Sequence, residues 1–443
     1  MALSLSSTLT ELPWQAIEAY LPLLEGEEAL LLDSGGDPAQ TRQRFSFLCP
    51  KPKAVLKLTS EEIRDFRPYL RSFWQKYRPA NPFMSSLPFT GGLVGFASYE
   101  AGLMCEGLVS RHKTDAPLFL LLACTDLFIF DRLEQRLWWA SAEGNAPPPC
   151  PAPFASDSQN KLTLPSALNF IPDDKASSWK NKVEKIRAYI EAGDIFQANL
   201  TMRWKAERPA NMPLLPLYTA LRQACPAPFG AFLNTPDFGL LSASIERFLS
   251  LSAEGLIETR PIKGTAPIHA DPLLNNKIQE ALSKDEKELA ENLMITDLMR
   301  NDLGRVSKIA TVTVPQLCVV ERFRHVHHLV SSVQGRLQDH YDVFDLLQAT
   351  LPPGSVTGAP KHQALKIIDE LESSSRGVYC GTLLRIGWDG ALDSSVIIRS
   401  ISATSDQFRL GAGGGITWPS DPGCEYDEML LKAAPLLKAL GSL

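Results

Sequence analysis

The sequence predicts an α+β fold with antiparallel sheets. Three observations predict it. Short apolar or alternating runs ended by turn residues recur along the whole chain. Helical patterns interrupt them at irregular intervals, without the regular βαβ alternation that a parallel sheet needs. No segment repeats at a fixed period.

Taken in order, residues 1–143 are strand-rich. Ala29–Leu32, Ala54–Leu58, Leu118–Phe130 and Leu137–Ala140 read as strands, with helices near the start and over Glu61–Tyr77. Glu143–Ser158 reads EGNAPPPCPAPFASDS, too dense in Pro, Ala and Ser for a regular element. It marks a connector over residues 144–164, between an N-terminal region (1–143) and a second region (165–443). The second region opens with a helix over Ser177–Ala192, ended by Gly193. Strands follow at Ile195–Trp204, Phe229–Asn234, Phe238–Ser242, Phe248–Ser252 and Leu256–Arg260. A long helix is expected over Pro272–Met299, then strands near Val306–Val314 and His327–Leu337. Helices over Asp342–Ala349 and Lys361–Glu370 precede strands at Gly381–Gly387, Ser394–Ala403 and Gln407–Ala412. A last helix covers Glu425–Leu440.

Composition narrows the function. The 443 residues carry 44 Lys plus Arg against 50 Asp plus Glu, a net charge of −6, which argues against a general nucleic-acid binder. The eight cysteines form no C-x-x-C and read as reduced thiols. The longest strongly apolar stretch, Leu118–Cys124, is too short to span a bilayer, and the start lacks a basic segment followed by an apolar one. These features predict a soluble cytoplasmic protein with neither a nucleic-acid nor a membrane partner. No G-x-G-x-x-G, P-loop, G-x-S-x-G or H-E-x-x-H motif is present.

Five constellations remain. Glu288 and Glu291 lie three apart in a helical pattern and share a face, as do Glu425, Glu428 and Lys432 near the C-terminus. Two such helices facing one another suit a single Mg ion, which takes carboxylate oxygens plus water. Each stripe alone reads more readily as a solvated face. Thr259–Thr265 places Lys263 between apolar strand residues and a Gly–Thr pair, where partial burial favours a nucleophilic amine. A solvent-facing hairpin lysine fits the same residues. Gly354–Lys361 leads into a helix and offers backbone N–H groups to an anion. Ala412–Ile416 lets a ligand approach bare backbone. Both also fit plain tight turns. His327, His328 and Arg399, on apolar strands, fit either satisfied core residues or ligand contacts, and each taken singly reads more readily as the former.

Together these segments resemble the chorismate-utilising enzymes: anthranilate synthase large components, isochorismate synthases and aminodeoxychorismate synthase component I. The matching pieces stand in family order as GDIFQANL (Gly193–Leu200), IERF (Ile245–Phe248), RPIKGT (Arg260–Thr265) and EKELAENLMITDLMRNDLGRV (Glu286–Val306). VHHLVS (Val326–Ser331), GSVTGAPK (Gly354–Lys361), IIRS (Ile397–Ser400), AGGGI (Ala412–Ile416) and SDPGCEYDEMLLK (Ser420–Lys432) follow. LLLDSGG (Leu30–Gly36) and FTGGLVGFASYE (Phe89–Glu100) extend the likeness into the N-terminal region.

The resemblance implies two antiparallel sheets packed face to face with helices outside, like anthranilate synthase component I. Lys263 stands where anthranilate synthases have Ala and the aminodeoxychorismate synthases have Lys. Gln197 stands where isochorismate and salicylate synthases have a water-activating Lys, and a neutral amide is no base. The implied reaction is amination of chorismate to 4-amino-4-deoxychorismate, a step toward para-aminobenzoate and folate. Lys263 adds at C2 and Glu246 protonates the departing C4 hydroxyl. Mg is implied on Glu288, Glu291, Glu425 and Glu428, partly through water. Gln197, Gly264, Thr265, His328, Thr357, Tyr379, Arg399, Gly413, Gly414 and Lys432 match substrate-contacting positions. The implied partner is a separate glutaminase subunit supplying ammonia, since no Cys-His-Glu glutaminase domain is legible within this chain. Asp33 and Ser34 match a family pocket for tryptophan.

Departures from the family pattern are Ile245 before Glu246, Thr417-Trp418-Pro419-Ser420 after the glycines, Leu384-Arg385, and Pro435, which should kink the last helix. Two other readings stand beside the main one. An anthranilate synthase large component is opposed by Lys263. A non-catalytic tryptophan-binding regulatory subunit is opposed by the intact acid, nucleophile and carboxylates.

Overall fold

Apolar residues along the central strands decide the layering. In Phe119–Cys124, Leu120, Leu122 and Cys124 face one apolar core while Phe119, Leu121 and Ala123 face another. In Ala29–Asp33, Leu30 and Leu31 divide in the same way. Strands buried on both faces read as continuous apolar runs, as these do. The computed structural model describes residues 7–39, 44–59, 63–80, 83, 85–151, 168–269, 271–322 and 326–442.

Two antiparallel sheets stack face to face, as expected. One core lies between them, built on Leu30, Phe47, Val94, Phe96, Leu120 and Leu240. A second lies between the first sheet and helices that include Ala176–Glu191, Leu214–Ala224 and Pro422–Ala439. The third lies between the second sheet and helices that include Arg67–Tyr77, Glu286–Gly304 and Val343–Thr350.

Both regions of the chain build both sheets. In the 12-stranded sheet Phe229–Asn234 pairs with Ala29–Asp33, with Phe232 opposite Leu31. In the 10-stranded sheet Thr382–Gly387 pairs with Gly92–Ala97, with Leu384 opposite Gly95. Of the expected connector, residues 152–164 lie outside the described residues.

Several predicted elements divide, each for a local reason. The run 118–130 is two strands, Phe119–Cys124 and Asp126–Asp131, which turn at Thr125 into different sheets. Ser394–Ala403 likewise divides into Leu392–Val396 and Ser400–Ala403, one in each sheet. The long helix 272–299 is two helices, Pro272–Ser283 and Glu286–Gly304. Asp285 is the N-cap of the second, its Oδ1 accepting from the Glu288 N–H at 3.0 Å. The helix expected from Glu61 starts at Arg67 with Pro68 in the first turn, where a missing N–H costs nothing. Glu61 itself lies outside the described residues. The strand expected at 306–314 is instead Thr313–Arg322. The glycines 413–415, read as a turn or a bare loop, are the end of the Gln407–Ile416 strand. Pro435 lies inside the last helix, Pro422–Ala439. Helices Tyr99–Cys105 and Leu214–Ala224 went unpredicted.

The seam between the regions yields a prediction. Leu31→Ala removes a fully buried side chain at the junction of strands from both regions and should cost about 2–5 kcal/mol. In a urea titration with pulsed hydrogen exchange, peptides over 29–58 and 229–244 should lose protection together, earlier than in wild type. Loss over 29–58 alone would contradict the shared sheet.

Candidate active site

Two chain crossings between the sheets lie side by side and carry two of the expected residues. Gly239–Ser244 belongs to the first sheet and Arg247–Leu251 to the second, so Glu246 stands at the crossing. Arg399 stands at the return crossing, between Leu392–Val396 and Ser400–Ala403. Ser244 Oγ donates to the Val396 carbonyl at 2.6 Å, and the Val396 N–H donates to the Glu246 carbonyl at 3.0 Å. The Ala243 N–H donates to the Arg399 carbonyl at 3.0 Å. Arg399 has φ +50° and an exposed side chain that makes no hydrogen bond or ion pair among the described residues. A positive φ in a non-glycine residue is uncommon and clusters at functional sites.

Lys263 lies on Ile262–Pro267, an edge strand paired with Val326–Arg336. The pairing slips between Lys263 and Thr265 at Gly264, whose φ is +72°. A methyl group on Gly264 would stand 3.2 Å from Glu288 Oε2 and 3.0 Å from Leu282, so the position needs glycine for conformation and for space. The bulge leaves Lys263 Nζ 3.8 Å from Glu291 Oε2. Thr265 Oγ1 meets His328 Nδ1 at 3.0 Å. Burial lowers the His328 pKa and so favours the neutral ring, the nearby Arg399 charge adding to the effect.

The carboxylates stand near the starts of two helices, Glu288 and Glu425 in the first turns and Glu291 and Glu428 one turn on. Glu288 and Glu291 begin Glu286–Gly304, and Glu425 and Glu428 begin Pro422–Ala439, which Asp421 caps. Helix N-termini favour negative charge. Burial raises the Glu288 carboxyl above the ordinary range, with Glu291 and Asp285 adding repulsion. Burial also raises Glu425, with Glu428 adding to it, although Ser420 Oγ donates to Glu425 Oε1 at 2.6 Å. Glu428 is lowered: burial opposes its charge, but Lys432, at 2.8 Å, with Lys287 and Lys263 outweighs it.

Lys432 also donates to the Gly413 carbonyl at 3.1 Å. A methyl on Gly414 would lie 3.4 Å from Glu425 Oε2 and 3.7 Å from Lys432 Nζ, so this glycine strand forms the wall beside the last helix. The Lys263 charge acts on Glu246, Glu288 and Glu428, and Lys287 acts on Glu288, Glu425 and Glu428. The two helix starts, Lys263 and Glu246 thus lie within reach of one another's charge.

Glu246 has its carboxyl raised by burial, with Ser355 and the charges of Lys263 and Lys432 pulling the other way. Burial of this kind favours the protonated form of a carboxyl over the charged one. Gln197 is buried, with its Oε1 lacking a hydrogen-bond partner among the described residues. Thr357 is buried beside it: its carbonyl accepts from the Asn199 N–H at 2.7 Å, and its Oγ1 donates to the Gly354 carbonyl at 3.0 Å.

Tyr379 packs its ring over Gly411, in a small cavity with Arg203 and Arg376. Asp33 and Ser34 line a separate cavity of about 230 Å³ between the sheets. There Arg222 Nε lies 2.7 Å from Asp33, and Ser34 Oγ donates to the Phe45 carbonyl. Sequence reasoning missed Lys287, Ser355 and Ser420, which act on the expected carboxylates from neighbouring turns. Their proximity to Glu288, Thr357 and Glu425 along the chain was the available signal.

Among the described residues, no three His, Cys, Asp or Glu side chains are gathered as a bare metal ion requires. The four glutamates stand as two pairs on two helices, and Glu288 and Glu425 are each raised partly by a like-charged neighbour. A hydrated divalent cation relieves such repulsion and tolerates water between itself and a carboxylate, so the donor set fits Mg.

The sequence profile described as chorismate binding enzyme matches residues 28–438. This chain belongs to that family. Aminodeoxychorismate synthase component 1 of Klebsiella aerogenes is 35% identical over 99% of this chain and 100% of the relative. The Escherichia coli protein of that name is 36% identical over 80% and 78% of the two chains. Anthranilate synthase component 1 of Bacillus subtilis is 32% identical over 98% and 90%. Among solved structures, anthranilate synthase component I from Streptococcus pneumoniae matches with a TM-score of 0.73 at 29% identity, covering 89% of this chain and 92% of that one. The fold and family expectations thus hold. No described helix is long and apolar enough to cross a membrane, and all eight cysteines are free.

The raised Glu246 carboxyl has a stability signature. An acid whose folded pKa lies above its unfolded value costs stability once the pH exceeds the unfolded value. Glu246→Gln should therefore melt higher than wild type at pH 8, and the gain should vanish as the pH falls to the ordinary glutamate range. A pH-independent difference in melting temperature would contradict the assignment.

Proposed function

We propose that this protein is an aminodeoxychorismate synthase component 1, converting chorismate and ammonia to 4-amino-4-deoxychorismate. The observation that carries the reading is Lys263, an amine at the bulged edge of the cleft opposite the raised acid Glu246. Relatives of that name matched along nearly the whole chain support it. The anthranilate synthase alternative has a more distant relative and leaves Lys263 without a task.

In this reading the Lys263 amine forms a bond to C2 of the ring through its nitrogen lone pair. The two ring double bonds each shift by one position and the C4–O bond breaks. Glu246 gives its proton to the departing hydroxyl, which leaves as water. Ammonia then bonds to C4 and the double bonds shift back. The C2–N bond breaks with its electron pair returning to nitrogen, and Lys263 leaves as the free amine. Glu246, now ionised, accepts the surplus proton from the new amine. Gln197 holds no base for water, which favours ammonia. Arg399, with no ion-pair partner among the described residues, suits a substrate carboxylate, and Thr265, His328, Lys432 and the Gly413–Gly414 backbone complete the cleft.

Glu288, Glu291, Glu425 and Glu428 hold Mg in this reading. When bound, Mg supplies a counter-charge to the ring carboxylate, which lets it draw electrons from the ring. Ammonia comes from a glutaminase partner, and the setting is cytoplasmic folate biosynthesis. The cavity at Asp33 and Ser34, lined also by Phe45, Phe47 and Phe229, has the aromatic walls and charged rim for a tryptophan-like amino acid.

The test is product identification with chorismate, Mg and ammonium. Wild type should form 4-amino-4-deoxychorismate, and a chorismate-derived adduct should map to Lys263. Lys263→Ala should lose the adduct and most of the product, with residual product shifted toward the C2-amino compound. Lys263→Arg keeps charge but is a very poor nucleophile and should be badly impaired. A near-normal rate in Lys263→Arg, with no adduct in wild type, would overturn the covalent route.

Mg has its own check. A chelator should abolish turnover and added Mg should restore it. Mg should also raise the melting temperature of wild type but not of a Glu288→Gln, Glu428→Gln double variant. Full activity in chelator would refute the four-glutamate site.

A further inference from the structure

Arg376 lies after the helix Lys361–Leu371 and is 5% exposed. Each guanidinium nitrogen is used. Nε and Nη2 donate to Glu372 at 3.0 and 2.8 Å. Nη1 donates to the Val356 carbonyl at 2.7 Å, and Nη2 also to the Asn199 carbonyl at 2.6 Å. The group sits over the Tyr99 ring, 4.4 Å from its centroid.

The two carbonyls belong to different segments, each carrying a residue of the cleft. Val356 directly precedes Thr357, and Asn199 follows Gln197 by two positions on the Gln197–Glu207 strand. The Asn199 N–H bond to the Thr357 carbonyl closes the triangle. Glu372 braces the same strand, accepting from the Thr201 N–H at 2.9 Å and its Oγ1 at 2.7 Å. Arg203 Nη1 reaches Glu372 at 2.7 Å, so one buried carboxylate is shared by two arginines. Burial opposes the Glu372 charge, but the two arginines outweigh it and hold the carboxyl at about 2. The platform stays ionised across the working pH range.

We propose that Arg376 is a positioning residue of the cleft: it touches no substrate, and through the Val356 and Asn199 carbonyls it sets Thr357 and Gln197 at a fixed separation. This rests on the reading of the cleft as the chorismate site. A planar fork can serve two carbonyls and a carboxylate together, whereas a lysine ammonium is a single point of charge. Misplacement by about 1 Å costs up to about 100-fold in rate.

The test is a double-mutant cycle of Arg376→Lys with Thr357→Ala, read as kcat/KM for chorismate with saturating ammonium. Arg376→Lys alone should lose about 10- to 100-fold. In that background Thr357→Ala should cost at least ten times less than in wild type, because Thr357 is already displaced. Additive losses, or Arg376→Lys at the wild-type value, would overturn the proposal. Arg376→Gln is the second variant. It leaves the Arg203–Glu372 pair intact, and it should show the same loss and the same non-additivity. Failure of both variants to fold would assign Arg376 to the fold alone and also overturn the proposal. Wild type without aminated product would refute the functional reading instead. The cycle read on chorismate affinity by calorimetry then still decides the positioning role.

Discussion

The rest of the site depends on two adjacent crossings between stacked sheets. Sheets packed on one another bury both faces, and few places remain where a polar side chain can stand between them. The crossings at Glu246 and Arg399 make such a place, tied together through Ser244, Val396 and Ala243. An acid and an exposed guanidinium thereby reach one cleft from a core otherwise lined by Phe, Leu and Val. The bulge at Gly264 on one edge and the glycine strand Gly413–Gly415 on the other bring backbone close without side chains in the way.

Charge in the cleft is arranged as carboxylates interleaved with lysines. Two helices begin there, and the field of each start favours carboxylates, so glutamates in both first turns are individually unremarkable. Their convergence is costly. Burial and like charge raise Glu288 and Glu425, while Lys432, Lys287 and Lys263 lower Glu428. The balance leaves acidic groups with different protonation tendencies within one space, which is what proton transfer and cation binding each require. Behind them, the Arg203–Glu372–Arg376 platform supplies rigidity from a fully buried charge network. Such a network is expensive to desolvate and is tolerated here because nearly every donor finds a partner.

Much of the fold was legible because strands with two buried faces announce themselves as apolar runs. Ala54–Leu58 and Phe229–Asn234 stand where the pattern put them. The failures share a cause. Leu118–Phe130, Ser394–Ala403 and Pro272–Met299 each kept one periodicity across a point where the chain changes sheet or restarts a helix. Asp285 fits a helix interior as well as a cap until its Oδ1 is seen to accept from Glu288. Thr125 carries no turn signal at all; its position between two cores makes the bend.

The sequence by itself determined the chemistry on offer: an amine at Lys263, an acid at Glu246, two glutamate pairs, and glycines where backbone must approach. Residue identity and local spacing suffice for that, because nucleophilicity, charge and the lack of a side chain are properties of single residues. Only the tertiary structure decided which of them meet. Lys263 faces Glu291 because a bulge re-aims an edge strand, and the Tyr379 ring fills the space over Gly411 because that position has no side chain. The raised carboxyl of Glu246 likewise arises from its enclosure by segments far apart in the chain. Burial and long-range contact are collective quantities, set by how both regions pack into shared sheets, and no local pattern encodes them.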